Sequence, residues 1–205
     1  MRRRTGYPSP ALPPPSIPSI PFLTLHPRYT GIMADISSNL VATNLYSNPS
    51  FEGDVNADVL VVKGSSSIVG PGVITPYHGT KRISLGQGND NRVGVNIPNV
   101  VLDGPVHMRI MVLGWAVGTA VSVAPDDGKS FSPVTLTTSA ATAQTWVPLD
   151  IDYTPQTGNY WIIFSSTTGS MAMDAFGFYT QSDWLRMQAL NPPVNWFSGD
   201  SVSTS

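Results

Sequence analysis

The sequence predicts an all-β sandwich, and three observations lead there. Charged residues make up only 12% of the 205-residue chain, roughly half the usual share, so the residues that build long amphipathic helices are scarce. Glycine and proline are frequent, at 18 and 19, and they punctuate the chain into short segments. Between residues 44 and 180 those segments alternate apolar and polar side chains with a period of two, the pattern of half-buried strands.

Residues 1–43 read as a Pro-rich extended arm or leader. Eight of the 19 prolines fall in the first 32 residues, and proline fixes φ while removing a backbone donor, so this stretch has no ladder of its own. Arg2, Arg3 and Arg4 resemble the basic start of a signal peptide, but the prolines that follow break any apolar helix. Two readings stay open: translation starts at Met33 and the upstream part is a leader, or the arm lies along a neighbouring subunit.

Residues 44–180 form the sandwich. Nine strands are expected, at 58–63, 81–85, 92–97, 106–113, 117–124, 134–138, 145–153, 160–165 and 171–180. In the fourth, Val106, Met108, Ile110 and Val112 share one face. In the seventh, Val147, Leu149, Ile151 and Tyr153 do so, while Asp150 and Asp152 face water. Residues 181–205 read as a short helix and a polar tail. The helix spans 182–190, with Ser182 as N-cap and Asp183 in its first turn, and Asn191-Pro192-Pro193 stops it.

Several function classes are excluded or weakened. The chain has no cysteine, so disulfides, thiol nucleophiles and Cys-based zinc sites are out. Its net charge is −2, but all four Arg of residues 1–32 lie ahead of a mildly acidic remainder, a poor partner for nucleic acid. No apolar run reaches the ~18 to 20 residues of a membrane span, so neither membrane nor nucleic acid is an expected partner.

Catalytic groups are equally sparse. Glu52 is the sole Glu, whereas glycosidases ordinarily use a carboxylate pair. His26, His78 and His107 share no ligand spacing; His78 reads as a loop residue and His107 as an outward strand position. No Gly-x-Ser-x-Gly elbow supports a Ser/His/Asp triad. Residues 86–91, Gly-Gln-Gly-Asn-Asp-Asn, lack the Gly-Lys-Ser/Thr ending of a phosphate loop and read as a hairpin connection. Residues 124–131 read as a turn resembling a single imperfect Asp-box. The protein is not expected to be an enzyme.

The aromatic residues remain. The sandwich core is the expected place for Trp146 and Trp161. Tyr77 and Trp115 are the candidate exposed rings, and with Gln87, Asn89 and Asn91 they form a candidate glycan-binding set. Trp184, Trp196 and Phe197 are candidate interface residues.

The run Asn44-Leu45-Tyr46-Ser47-Asn48-Pro49-Ser50-Phe51-Glu52-Gly53 resembles the opening strand of galactose-binding-like jelly rolls in carbohydrate-binding modules. Thr145-Trp146-Val147-Pro148-Leu149 and Met173-Asp174-Ala175-Phe176-Gly177-Phe178-Tyr179 match the late Trp and closing strand of those domains. The resemblance implies a jelly-roll β-sandwich over residues 44–180. It also implies a structural calcium ion at Glu52 and Asp174, clamping the first strand to the last.

A second resemblance concerns residues 191–201, Asn-Pro-Pro-Val-Asn-Trp-Phe-Ser-Gly-Asp-Ser, which look like the tail of minor tail proteins of actinobacteriophages. It implies a structural virion protein, in the tail rather than on the capsid surface. Its expected partners are other virion proteins in a homo-oligomer. The alternatives are a glycan-binding module that attaches the particle to a host cell surface and a capsid decoration protein.

Overall fold

The computed structural model describes residues 40–53, 60–88, 90–100, 104–126, 131–155, 158–198 and 201–203. All of them belong to one compact unit, Ser37–Ser205. Twelve strands and one helix follow in order: β1 (Leu40–Thr43), β2 (Leu60–Lys63), β3 (Ser67–Val69), β4 (Arg82–Leu85), β5 (Arg92–Val100), β6 (Val106–Gly114), β7 (Ala120–Pro125), β8 (Val134–Thr137), β9 (Val147–Tyr153), β10 (Gly158–Thr168), β11 (Met171–Thr180), α1 (Gln181–Gln188) and β12 (Ser201–Ser203). The expected β-sandwich is what forms.

Two five-stranded antiparallel sheets carry the fold. Sheet 1 has the order β2-β5-β10-β7-β8 and sheet 2 the order β3-β4-β11-β6-β9, while β1 and β12 pair as a separate ribbon. The period-two pattern sets which face each strand buries. Val106, Met108, Ile110 and Val112 of β6 oppose Tyr153, Ile151, Leu149 and Val147 of β9 in register, all pointing inward as expected. From sheet 1, Val93, Val95, Ile97, Ile162 and Phe164 point back at them. Phe176 lies at the centre, edge-on to Tyr46 at 5.0 Å and to Phe164 at 6.2 Å.

Sheet 2 is buried on its outer face as well, which the sequence pattern did not require. One cover is the loop 70–81, described below. The other is α1 with the chain after it, where Tyr179, Met187 and Ala42 form a second small core joined by Trp184, Val194 and Phe197. Every residue of β11 from Met171 to Tyr179 is therefore buried. Sheet 1 has an outer face open to solvent: Lys63, Arg92 and Thr135 on it are exposed.

The structure revises several expected boundaries. Leu40–Thr43, assigned from sequence to the arm, forms β1 and pairs with Ser201–Ser203 of the polar tail; the rest of the arm lies outside the described residues. Strands β1, β3 and β12 are three or four residues long, too short to show a period. The helix begins one residue earlier than expected, with Thr180 rather than Ser182 as N-cap: Thr180 Oγ1 accepts from the Asp183 N–H at 3.1 Å. The cap sits at the end of β11, so the strand turns directly into the helix.

Phe176→Ala should cost about 3–5 kcal/mol, because a large ring is removed from a site that two sheets hold apart. Urea denaturation of the folded domain measures it. A loss below about 1 kcal/mol would mean that the sheets collapse to fill the gap.

Candidate functional site

Loop 70–81 joins β3 to β4 and crosses the outer face of sheet 2. Four anchors hold it. Arg82 Nε donates to the Ile74 carbonyl at 3.2 Å and Trp146 Nε1 to the Thr75 carbonyl at 3.2 Å. Asp174 Oδ2 accepts from the His78 N–H at 3.0 Å. Glu52 Oε1 accepts from the Thr80 and Lys81 N–H groups at 2.6 and 2.7 Å, and its Oε2 from Thr80 Oγ1 at 2.6 Å. Lys81 Nζ returns a bond to the Glu52 carbonyl at 2.8 Å. Gly79 lies between these anchors with φ +68°, and a Cβ there would run into Glu52 Oε1. Only glycine suits that position.

The two carboxylates implied as calcium ligands are thus both engaged by backbone donors of one loop. Asp174 Oδ1 also accepts from the Ala175 N–H at 2.7 Å. Ala175 has φ +53°, within a register shift of β11 between Asp174 and Gly177, so the bulge turns this amide onto its neighbour's carboxylate. This donor set fits poorly with a cation, since the N–H groups present positive ends where a metal would stand. Among the described residues, no group of three or more His, Cys, Asp or Glu is placed to hold a metal ion.

Asp174 is 0% exposed. Burial pushes its carboxyl up to about 6, while the backbone N–H groups of His78, Ala175 and Tyr77 pull it back down. A shifted carboxyl is often a catalytic signal, but this one is sealed from solvent. Glu52 is held below the ordinary carboxylate range by its bonds to Thr80 and Lys81, which outweigh desolvation.

The anchored loop places Tyr77 beside Trp146, ring centroids 6.0 Å apart and tilted 67°. Next to them runs a groove of about 390 Å³ lined by Val73, Ile74, Thr75, Leu113, Trp115, Gln144 and Trp146. Tyr77 is 49% and Trp115 45% exposed, and Val73 stands out into solvent at 86%. The described lining holds aromatic faces, an amide and a hydroxyl, and no ionisable side chain. Ring faces of this kind stack on the C–H face of a sugar, and the amide and hydroxyl can pair with sugar hydroxyls.

Of the candidate glycan residues, the structure brings Tyr77 and Trp115 to this one region and adds Trp146, which the sequence reading put in the core. Gln87 and Asn91 do not line this groove. Asn91 Nδ2 donates to the Gln87 carbonyl and Asn91 Oδ1 accepts from Ser65, so Asn91 ties the 86–91 connection to the turn after β2. Asn89 lies outside the described residues. Trp161, also expected in the core, stands on the outer face of sheet 1 beside Gly94.

The three candidate interface rings pack on their own chain. Trp184 stacks on His107 at 3.8 Å and 7°, and Arg109 Cζ lies over the Trp184 ring, 5.8 Å from its centroid. His107 points outward from β6 as expected but is covered by Trp184, and its ring nitrogens meet Asp150 and Asp152 at 3.1 and 2.7 Å. Trp196 Nε1 donates to the Phe176 carbonyl at 3.1 Å, its ring 4.9 Å from His78. Phe197 packs on Tyr179 at 5.6 Å.

No family model matches the chain, and no curated protein matches it. Solved structures do. The carbohydrate-binding module TmCBM61, solved in complex with β-1,4-galactotriose, superposes with a TM-score of 0.53 over 67% of this chain and 99% of its own, at 16% identity. The CBM22-1 xylan-binding domain of Paenibacillus barcinonensis Xyn10C gives 0.42 over 69% and 93%, at 14% identity. A carbohydrate-binding module from Cellvibrio mixtus lichenase 5A, solved with cellotriose, gives 0.40 over 69% and 98%, at 12% identity. The likeness to TmCBM61 shows a shared jelly-roll β-sandwich fold.

Two outcomes test the clamp. Chelation of divalent cations by EDTA should leave the melting temperature unchanged, as expected for a loop held by hydrogen bonds to Glu52 and Asp174; a fall of several degrees would support the calcium. For Asp174, a folded-state value above the unfolded one means that the folded protein binds the extra proton. Stability relative to Asp174→Asn should therefore fall as pH rises from about 4 to about 6, by roughly 2–3 kcal/mol in all. Urea midpoints of both proteins across that range show the slope, and parallel curves would refute it.

Proposed function

We propose that this protein is a non-catalytic glycan-binding domain whose ligand is a neutral saccharide seated in the groove lined by Trp115 and Trp146, beside Tyr77. The observation that carries the reading is the groove itself. Trp115, just after β6, and Trp146, just before β9, line it with Thr75 and Gln144 as polar partners, and Tyr77 of the 70–81 loop lies against Trp146.

Aromatic residues held open to water cost free energy unless a ligand covers them, and a sugar face is apolar enough to do so while its hydroxyls stay hydrated. The absence of ionisable groups from the described lining points to a neutral sugar, because an anionic one would be desolvated there without a partner. Galactotriose, cellotriose and xylan, named for the similar structures above, supply the first ligands to try.

The setting in which such a domain works rests on the sequence of residues 191–201 alone. We propose on that resemblance that it belongs to a bacteriophage tail, where a glycan-binding domain would attach the particle to a host wall. Mass spectrometry of purified particles tests this independently of any ligand: peptides of the 44–180 domain in the virion support it, and their absence removes it.

Trp115→Ala should weaken binding of the best neutral oligosaccharide about tenfold, the loss of roughly one stacking contact of up to ~1.5 kcal/mol. Trp146→Phe keeps a ring but loses the bond to Thr75 and should weaken binding less. Isothermal titration on variants with unchanged urea midpoints reads both. Equal affinity of Trp115→Ala and wild type, or a glycan array without signal, would overturn the assignment.

A further inference from the structure

The Trp115 groove contains a residue held in a conformation that its type disfavours. Gln144 has φ +59°, in the left-handed region that glycine and asparagine enter readily and a long side chain does not. Its turn explains the conformation. The Ser139 carbonyl accepts from the Thr142 and Ala143 N–H groups at 3.1 and 2.9 Å, and the Thr142 carbonyl from the Thr145 N–H at 3.2 Å. Residues 139–143 thus make one helix-like turn, which leaves through a left-handed residue. The Gln144 N–H then donates to the Gly114 carbonyl at 2.8 Å, pinning the turn to the end of β6.

Two features give that strain a use. Glycine at position 144 would relax the backbone, yet a glutamine stands there, exposed, and lines the groove. Among the described residues its side-chain amide has no hydrogen-bond partner, so neither the turn nor the sheet uses it. The backbone also ties this amide to both indoles of the lining. Gly114, which accepts the Gln144 N–H, is followed directly by Trp115, and Trp146 stands two residues after Gln144. One strained position therefore fixes an unpaired amide beside two rings.

We infer that Gln144 is the specificity-determining residue of this groove, its amide pairing with the 2- and 3-hydroxyls of a 1,4-linked sugar stacked on Trp115. A carboxamide presents an acceptor oxygen and a donor nitrogen side by side. Two hydroxyls on neighbouring carbons answer that pair, one as donor and one as acceptor. In a 1,4-linked chain O1 and O4 are spent in the linkages, so the 2- and 3-hydroxyls are the vicinal pair that every unit keeps free. A ring face accepts any sugar with an apolar side, whereas a sugar lacking one of the two hydroxyls leaves part of the amide unpaired. The inference rests on the neutral-saccharide reading of the groove and adds the residue that selects within that class.

The probe is β-1,4-galactotriose, titrated calorimetrically into the full chain, with its 2-deoxy analogue, in which hydrogen replaces each 2-hydroxyl, as the second ligand. Gln144→Met keeps the side-chain length and the left-handed backbone but removes the amide. It should weaken galactotriose binding about tenfold, the loss of one or two neutral hydrogen bonds. Gln144→Gly should weaken binding as much while its urea midpoint stays at or above that of the wild type, because the strain is relieved. Lower affinity without lower stability is not the signature of a structural residue. The wild type should bind the deoxy analogue about tenfold more weakly than galactotriose, and Gln144→Met should bind the two equally.

Three results would each overturn this role: full galactotriose affinity in Gln144→Met or Gln144→Gly, undiminished discrimination against the deoxy analogue in Gln144→Met, or a lowered urea midpoint in Gln144→Gly, which would assign the residue to the turn alone. Trp115→Ala separates the two readings. Loss of binding in Trp115→Ala together with full affinity in the Gln144 variants keeps the neutral groove and removes only the selector. Binding indifferent to Trp115→Ala, or no saturable binding at about 10 mM galactotriose, removes the groove and the selector together.

Discussion

Glu52 and Asp174 hold five backbone N–H groups between them if the local one of Ala175 and that of Tyr77 are included, and the shape of one side of the molecule follows from those bonds. A twelve-residue connection with no strand or helix of its own would ordinarily lose too much conformational entropy on ordering to cover a sheet. Charge-assisted bonds from two carboxylates fix its second half, and Arg82 and Trp146 fix its first. The cost is a carboxylate in a sealed site, visible in the raised Asp174 value. What the clamp yields is a rigid path for the chain from Ile74 to Lys81, with Tyr77 turned toward Trp146 instead of into solvent alone. The same indole that lines the groove also donates to the loop, so ligand surface and loop anchor are one residue.

The clamp also makes the two sides of the sandwich unequal. Sheet 2 is covered by loop 70–81 over one half and by α1, β1 and the rings of Trp184, Trp196 and Phe197 over the other. Those rings pack on their own chain: the Trp196 indole N–H reaches the Phe176 carbonyl, Trp184 lies on His107 and Phe197 packs on Tyr179. A face closed in this way offers ligands only its rim, where the Trp115 groove is found. Sheet 1 has no comparable cover among the described residues.

Much of this was legible in the sequence, and the failures have physical causes. Alternation at 106–112 and 147–153 placed the inward faces of β6 and β9 correctly, because β9 has one polar face and the outward positions 107 and 109 of β6 are polar. Trp146 shares the parity of Pro148, Asp150 and Asp152, all exposed, so its outward position was readable from period two, and the general preference of Trp for cores obscured it. Trp161 was harder: Trp161, Ile162, Ile163 and Phe164 are apolar at both parities, and only the register against Gly94 and Asn96 of β5 decides which side is which. Asn91 looked like a ligand-facing amide because nothing local reveals a partner 26 residues away in Ser65. The cover over sheet 2 was illegible for the same reason, since three of its bonds span 71, 96 and 140 residues of chain.

What stands beside the rings of the Trp115 edge sets its choice of ligand on the proposed reading. The described lining offers an amide, a hydroxyl and ring faces; an anionic sugar brought there would give up water without gaining a counter-charge. Stacking alone would not discriminate, since any sugar with an apolar face can lie on a ring. Having no ionic term, this edge keeps its affinity as ionic strength rises.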